Sequence, residues 1–102
     1  MIKYLENNNL DELIGDGVYL VDFYADWCGP CKMLGPVMET VSGKITDVNF
    51  YKVNVDESEE VAAKYGIMSI PAVFMFKNGK PIAKTVGFMP EEDLTSWVNN
   101  NK

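Results

Sequence analysis

Short, dense apolar runs alternate along this chain with stretches where apolar residues recur every three or four positions. Ile2 to Leu5 predicts a short strand. The Asn7-Asn8-Asn9 cluster supplies helix N-caps, and Leu10, Leu13 and Ile14 follow at helical spacing. Gly15 and Gly17 end that helix. Val18 to Ala25 is β-branched and aromatic, broken only by Asp22, which is the pattern of a buried central strand. From Cys31 to Val41 the period is helical, with Leu34, Val37, Met38 and Val41 on one face. Pro36 is expected to kink this helix and Gly43 to close it.

Phe50 to Val55 reads as a second buried strand. Asp56 and Ser58 are positioned to cap a helix running through Val61, Ala62 and Tyr65 to Gly66. Pro71 introduces a strand over Ala72 to Phe76, and Asn78-Gly79 is a hairpin turn leading to another over Ile82 to Val86. Lys80, Pro81 and Lys84 mark that strand as an edge, and Gly87 ends it. Pro90-Glu91-Glu92 opens a last helix with Leu94, Trp97 and Val98 on one face. Asn99 to Lys102 is expected to fray. The order β-α-β-α-β-α-β-β-α predicts an α/β fold, a mixed sheet with helices on both faces. Residues 1–102 suit one domain.

Composition narrows the function more than the fold. The net charge is −6 and there is no arginine. That argues against nucleic acid and anionic membranes as partners, since cationic groups supply most of such affinity. No apolar run approaches the ~18 residues of a membrane span, and the start lacks the pattern of a secretory signal, so the expected location is cytoplasmic. Histidine is absent. This removes Cys–His and Ser–His catalysis and imidazole metal sites together. A closed zinc site from two cysteines would need a second copy of the chain, so no metal or other cofactor is expected, and a monomer is the default.

The two cysteines, Cys28 and Cys31, lie three positions apart. A bridge across so short a segment closes almost no loop and does little scaffolding. Its place between a strand and a helix gives it another meaning. At a helix start the unpaired N–H groups and the macrodipole favour an anion. Cys28 is therefore expected to have a depressed pKa and to be nucleophilic. Pro30 suits the first helical turn, where its missing N–H costs nothing. The mechanism that follows is attack of Cys28 on a disulfide and resolution of the mixed disulfide by Cys31, the more buried cysteine. Asp22, in its apolar strand, is the candidate acid–base group, with a raised pKa. Lys52, on the neighbouring strand, is its candidate partner.

Val21-Asp22-Phe23-Tyr24-Ala25-Asp26-Trp27-Cys28-Gly29-Pro30-Cys31-Lys32 closely resembles the active-site signature of the thioredoxin family. The similarity continues through Pro36, Lys52 to Asp56, Tyr65-Gly66-Ile67, Ile70-Pro71, Phe76 to Gly79 and Val86-Gly87. It implies a thioredoxin-like fold and a protein disulfide reductase. In that reading Cys28 attacks, Cys31 resolves, Asp22 is the buried acid–base carboxylate and Lys52 its neighbour. Pro71 resembles the family's cis-proline. Trp27, Gly29, Pro30, Ile70 and Gly87 match the apolar surface on which substrates dock. The resemblance also implies partners: a thioredoxin reductase, linked to NADPH or ferredoxin, and disulfide proteins of the ribonucleotide reductase, peroxiredoxin and methionine sulfoxide reductase type. Met68, Ser69, Ala72, Phe88 and Met89 depart from the usual pattern and bear on partner preference. Met33, Met38, Met68, Met75 and Met89 are expected to fill core gaps, with Met68 and Met89 also available for contacts.

Overall fold

The computed structural model describes residues 2–5 and 8–102. Among these residues five strands form one sheet: β1 (Ile2–Tyr4), β2 (Val18–Tyr24), β3 (Asn49–Asn54), β4 (Ala72–Lys77) and β5 (Lys80–Val86). Their spatial order is β1-β3-β2-β4-β5. β1, β3 and β2 run parallel to one another, β4 is antiparallel to β2, and β5 is antiparallel to β4. The expected edge position of Ile82 to Val86 is therefore met. Among the described residues there are four helices: α1 (Leu10–Leu13), α2 (Gly29–Lys44) and α3 (Glu59–Lys64) connect strands, and α4 (Glu91–Asn101) follows the last. None is long and apolar enough to cross a membrane.

Side chains alternate across a strand, so each strand feeds two cores. On one face Val21, Phe23, Val53, Phe74 and Phe76 pack against Leu10 and Ile14 near α1 and Val61 of α3. On the other, Leu20, Phe50, Val73 and Met75 meet Leu34, Met38 and Val41 of α2 and Leu94 and Val98 of α4. Burying each such side chain contributes about 1.5–3 kcal/mol. Asp22 shares the period of Leu20, which puts it on the α2 side. Lys44 of α2 and Glu91 of α4 form an ion pair over that layer. Of the methionines, Met38 and Met75 are buried and Met89 packs at the core's margin. Met33 and Met68 instead face solvent, 60% and 95% exposed.

Several element ends differ from expectation. α2 begins at Gly29 and continues through Pro36 and past Gly43 to Lys44. Its buried stripe offsets the bond lost at Pro36. Buried Ile45 carries the last turn, its N–H bonded to the Val41 carbonyl at 2.9 Å. The C-terminus is helical to Asn101 rather than frayed. Asn101 Nδ2 donates to the Trp97 carbonyl at 2.7 Å, and Lys102 Nζ pairs with Asp47 at 3.1 Å. Trp97 itself is only half-buried against the core. β5 starts at Lys80, directly after a turn in which Asn78 and Gly79 both have positive φ, 52° and 82°. That pair of dihedrals matches the twist of the flanking strands.

The asparagine cluster caps a different helix from the one expected. Asn7 lies outside the described residues. Asn9 takes the N-cap position of α1 but makes no side-chain cap bond. Asn8 Oδ1 instead accepts the Val61 N–H of α3 at 3.3 Å, where Ser58 makes no side-chain cap. Asn8 has a φ of 56°. Asn8→Ala is therefore expected to cost about 1–2 kcal/mol, from the lost cap and a Cβ at positive φ. Asn8→Gly, which tolerates the dihedral, should recover part of that. Urea midpoints of the two variants check both terms.

Candidate active site

The polypeptide leaves β2 through buried Ala25 and turns so that Cys28 becomes the N-cap of α2. Cys28 is extended (φ −89°, ψ 114°), and its Sγ accepts the Cys31 backbone N–H at 3.2 Å. Gly29 and Pro30 fill the first helical positions and are exposed. Cys28 and Cys31 are joined as a disulfide, with Cα atoms 5.3 Å apart. Their exposures, 5% and 3%, hardly differ, so the expected contrast in burial is slight in this oxidised form. The disulfide bonds each sulfur into the same small apolar cluster with Ala25, which levels them.

The loop before β4 faces the sulfurs. Cys28 Sγ lies 3.8 Å from the Ile70 carbonyl oxygen. The Ile70–Pro71 peptide bond is cis. Gly87, with a φ of 101°, donates its N–H to the Pro71 carbonyl at 2.8 Å and so joins the end of β5 to this loop. Cys28, Cys31, Ile70, Pro71 and Gly87 thus come together at one end of the sheet.

Trp27 stands beside them, 70% exposed. Its Nε1–H donates to Asp56 Oδ2 at 2.9 Å. Asp56 is steadied in turn, because its own N–H donates to Asn54 Oδ1 at 2.9 Å. Asp56 is therefore a site residue that sequence reasoning assigned to helix capping. An exposed indole beside an aspartate after a strand was the only available signal.

Asp22 is fully buried, in register with Lys52 of β3 and Val73 of β4. Neither carboxylate oxygen has a hydrogen-bond partner among the described residues. Burial pushes its pKa up to about 6, with the Lys52 charge acting in the opposite direction. Lys52 was expected to pair with it, but makes no salt bridge to it among the described residues. Its Nζ lies instead over the Tyr24 ring, 4.4 Å from the centroid, and 5.8 Å from that of Tyr4. Aromatic faces hold the cation without stripping it of water as a buried pair would. Burial, with the Asp26 charge second, raises the Tyr24 pKa. A cavity of ≈ 380 Å³, lined by Tyr4, Tyr24, Cys31, Gly35 and Lys52 among others, connects Cys31 to this lysine. Lys52→Met is expected to raise the Asp22 pKa above about 6, because it removes the one opposing charge. Carboxyl-carbon NMR titration of both proteins reads the shift.

Among the described residues no group of three His, Cys, Asp or Glu side chains could hold a metal ion. The arrangement instead supports exchange of a disulfide: a sulfur at a helix N-terminus, a second sulfur one turn along, and a buried carboxyl on the strand that leads to them.

Relatives agree with this reading. The family model described as Thioredoxin matches residues 1–100. A thioredoxin of Staphylococcus haemolyticus is 49% identical over 101 residues, covering 98% of this chain and 97% of that protein. One of Chlamydia pneumoniae is 40% identical and covers 99% of each. The solved structure of a single-substitution mutant of thioredoxin from Halobacterium salinarum superposes with a TM-score of 0.89 at 35% identity, over 98% of this chain and 89% of that one. With the fold, the helix-capping disulfide and the full-length similarity in agreement, this chain belongs to the thioredoxin family and is a thiol-disulfide oxidoreductase that works through its own disulfide.

Proposed function

We propose that residues 1–102 act as one thioredoxin domain that reduces protein disulfides in two steps. In the reduced protein the Cys28 thiolate attacks one sulfur of the substrate bond. A Cys28–substrate disulfide forms, and the first substrate thiolate leaves and takes up a proton. Asp22, buried on the strand that leads to the cysteines, then accepts the Cys31 proton. The Cys31 thiolate attacks Cys28 Sγ, which closes the Cys28–Cys31 disulfide and releases the second substrate thiolate. Two electrons have passed from the protein to its substrate, and a reductase must return them.

One observation carries this reading: the Cys28 sulfur sits at the N-cap of α2 and already receives the Cys31 N–H. That donor, with the helix dipole, stabilises negative charge on the attacking Cys28 sulfur. Lys52 acts on Asp22 through its charge. Trp27, Gly29, Pro30, Ile70, Pro71 and Gly87 form the docking rim. The peptide flanking a target disulfide would pair beside Pro71, a form of strand addition.

Thioredoxins as a family imply a reductase and disulfide proteins as partners. For this chain we propose a thioredoxin reductase fed by NADPH or ferredoxin, and substrates of the ribonucleotide reductase, peroxiredoxin or methionine sulfoxide reductase type. We place a monomer in the cytoplasm, where structural disulfides are rare and a reductant of this kind has its use. The decisive assay is reduction of a protein disulfide with dithiothreitol as electron source. The protein is expected to exceed dithiothreitol alone. A rate equal to dithiothreitol alone sinks the reading and leaves the fold as a binding module.

A further inference from the structure

Charge is distributed unevenly along this acidic chain. From Val61 to Pro90 there are four lysines and no carboxylate, against five lysines and fifteen carboxylates in the remainder. Lys64 is paired with Asp11. Lys77, Lys80 and Lys84 are exposed and have no ion pair among the described residues. All three lie on the β4–β5 hairpin.

The same hairpin presents unpartnered apolar surface. β5 pairs with β4 alone among the described residues, so its outer edge offers free backbone donors and acceptors. Ile82 and Val86 are 45% and 57% exposed. Two cavities meet at Phe74 and Lys84. One, ≈ 230 Å³, reaches Tyr65, Met68 and Val86, and the other, ≈ 280 Å³, reaches Pro81. Together they form a track. It starts at the loop preceding cis-Pro71, beside the active site, and runs along β5 away from the cysteines. Val86 to Pro81 spans about 16 Å of strand, at ~3.3 Å per residue.

We propose that this track docks an extended segment that is both apolar and acidic, belonging to the disulfide protein being reduced. The proposal rests on the reductase reading and adds a substrate class to it. Lys84, which lines both cavities, supplies charge along the track, Lys77 and Lys80 add to it at the turn end of the hairpin, and the open β5 edge supplies main-chain hydrogen bonds. The cavities take alternate apolar side chains. An acidic segment is favoured because the remainder of the chain, with five lysines against fifteen carboxylates, carries net negative charge. The lysines also discourage edge-to-edge aggregation, a role that needs no ligand. The test separates the two roles.

Five disulfide-linked peptides serve as substrates: one without a flank, and four with a ten-residue flank that alternates valine with either glutamate or lysine. Each flank is placed in turn on either side of the cysteine. The readout is kcat/KM for each flanked peptide divided by that for the unflanked one. The parent should favour the glutamate flank about tenfold on one side, and lose this preference at about 1 M salt, where screening acts within ~3 Å. Lys80→Glu/Lys84→Glu should reverse the preference, and Lys80→Gln/Lys84→Gln should abolish it; circular dichroism checks that both fold. If the unflanked peptide is reduced but the flanks make no difference, the docking track is refuted and the reductase reading stands. If the unflanked peptide is not reduced, the reductase reading fails and this proposal falls with it. If the flanks make no difference and sedimentation shows a dimer that the glutamate variant loses, the track belongs to a second copy and the substrate proposal is wrong.

Discussion

Cys28→Ser is expected to reduce protein disulfides no faster than dithiothreitol alone, whereas Cys31→Ser should stop after one event with the substrate covalently attached. The asymmetry follows from position. Cys28 caps α2 and accepts the Cys31 N–H, so its sulfur is the one on which negative charge is stabilised. A serine hydroxyl in that place stays protonated at neutral pH and forms no bond to sulfur. Cys31 lies one turn into the helix and lines the cavity toward Lys52. Without its thiol, nothing is placed to attack the mixed disulfide, which accumulates. Non-reducing electrophoresis or intact mass of a single-turnover mixture reads the trapped species. The reverse pattern, with Cys28→Ser forming the adduct, would exchange the two roles.

Asp22→Asn is expected to gain stability and lose turnover at the same time. The carboxyl is fully buried with no hydrogen bond among the described residues, and its pKa is raised to about 6. In the unfolded chain it would titrate near 3.9. Between those two values the native state binds more protons than the unfolded state, so stability falls as pH rises through the window. The full cost is present above the folded pKa and is about 3 kcal/mol for a shift of about two units. The amide carries no charge to desolvate. The variant should therefore be more stable by about 2–3 kcal/mol at pH 8, with the gain shrinking toward zero below pH 4. Urea unfolding at several pH values gives the profile, and a gain independent of pH would refute the buried-charge explanation. Turnover should fall roughly 10–100-fold at neutral pH, because the Cys31 proton loses its acceptor. The deficit should narrow as pH rises and solvent removes that proton instead.

The parts of this protein that depend on short-range pattern were legible in the sequence. Val18 to Ala25, Phe50 to Val55 and the Asn78-Gly79 hairpin all appear as strands or turns, since apolar period and turn chemistry are local. So did the buried state of Asp22, flanked by apolar residues on both sides, and its place beside the strand of Lys52. What the ammonium of Lys52 touches was not legible. Its choice between Asp22 and the Tyr24 ring depends on desolvation in a folded layer. The Trp27–Asp56 bond spans 29 residues and the Asn8–Val61 cap spans 53, and neither leaves a mark in the local pattern. The ends of α2 and α4 were misjudged for a related reason. Buried Ile45 and the Lys102–Asp47 pair extend these helices beyond residues that would end them in isolation. Cis-Pro71 was anticipated through the family resemblance alone, because X-Pro bonds are trans by default.

The Cys31 N–H is bonded to the Cys28 sulfur while the disulfide is closed, and the same donor is in place for a thiolate once it opens. Both redox forms can thus share one backbone, anchored at the far end of α2 by Ile45 and the Lys44–Glu91 pair. On the proposed mechanism, a partner touching the rim would meet nearly the same shape whether the protein is charged with electrons or spent. Shape then cannot serve as a fuel gauge. Reductase and substrate would then compete for the proposed face, with each encounter decided by the relative potentials of the two dithiols. Such a carrier needs no gate, and its traffic responds directly to the supply of reduced reductase.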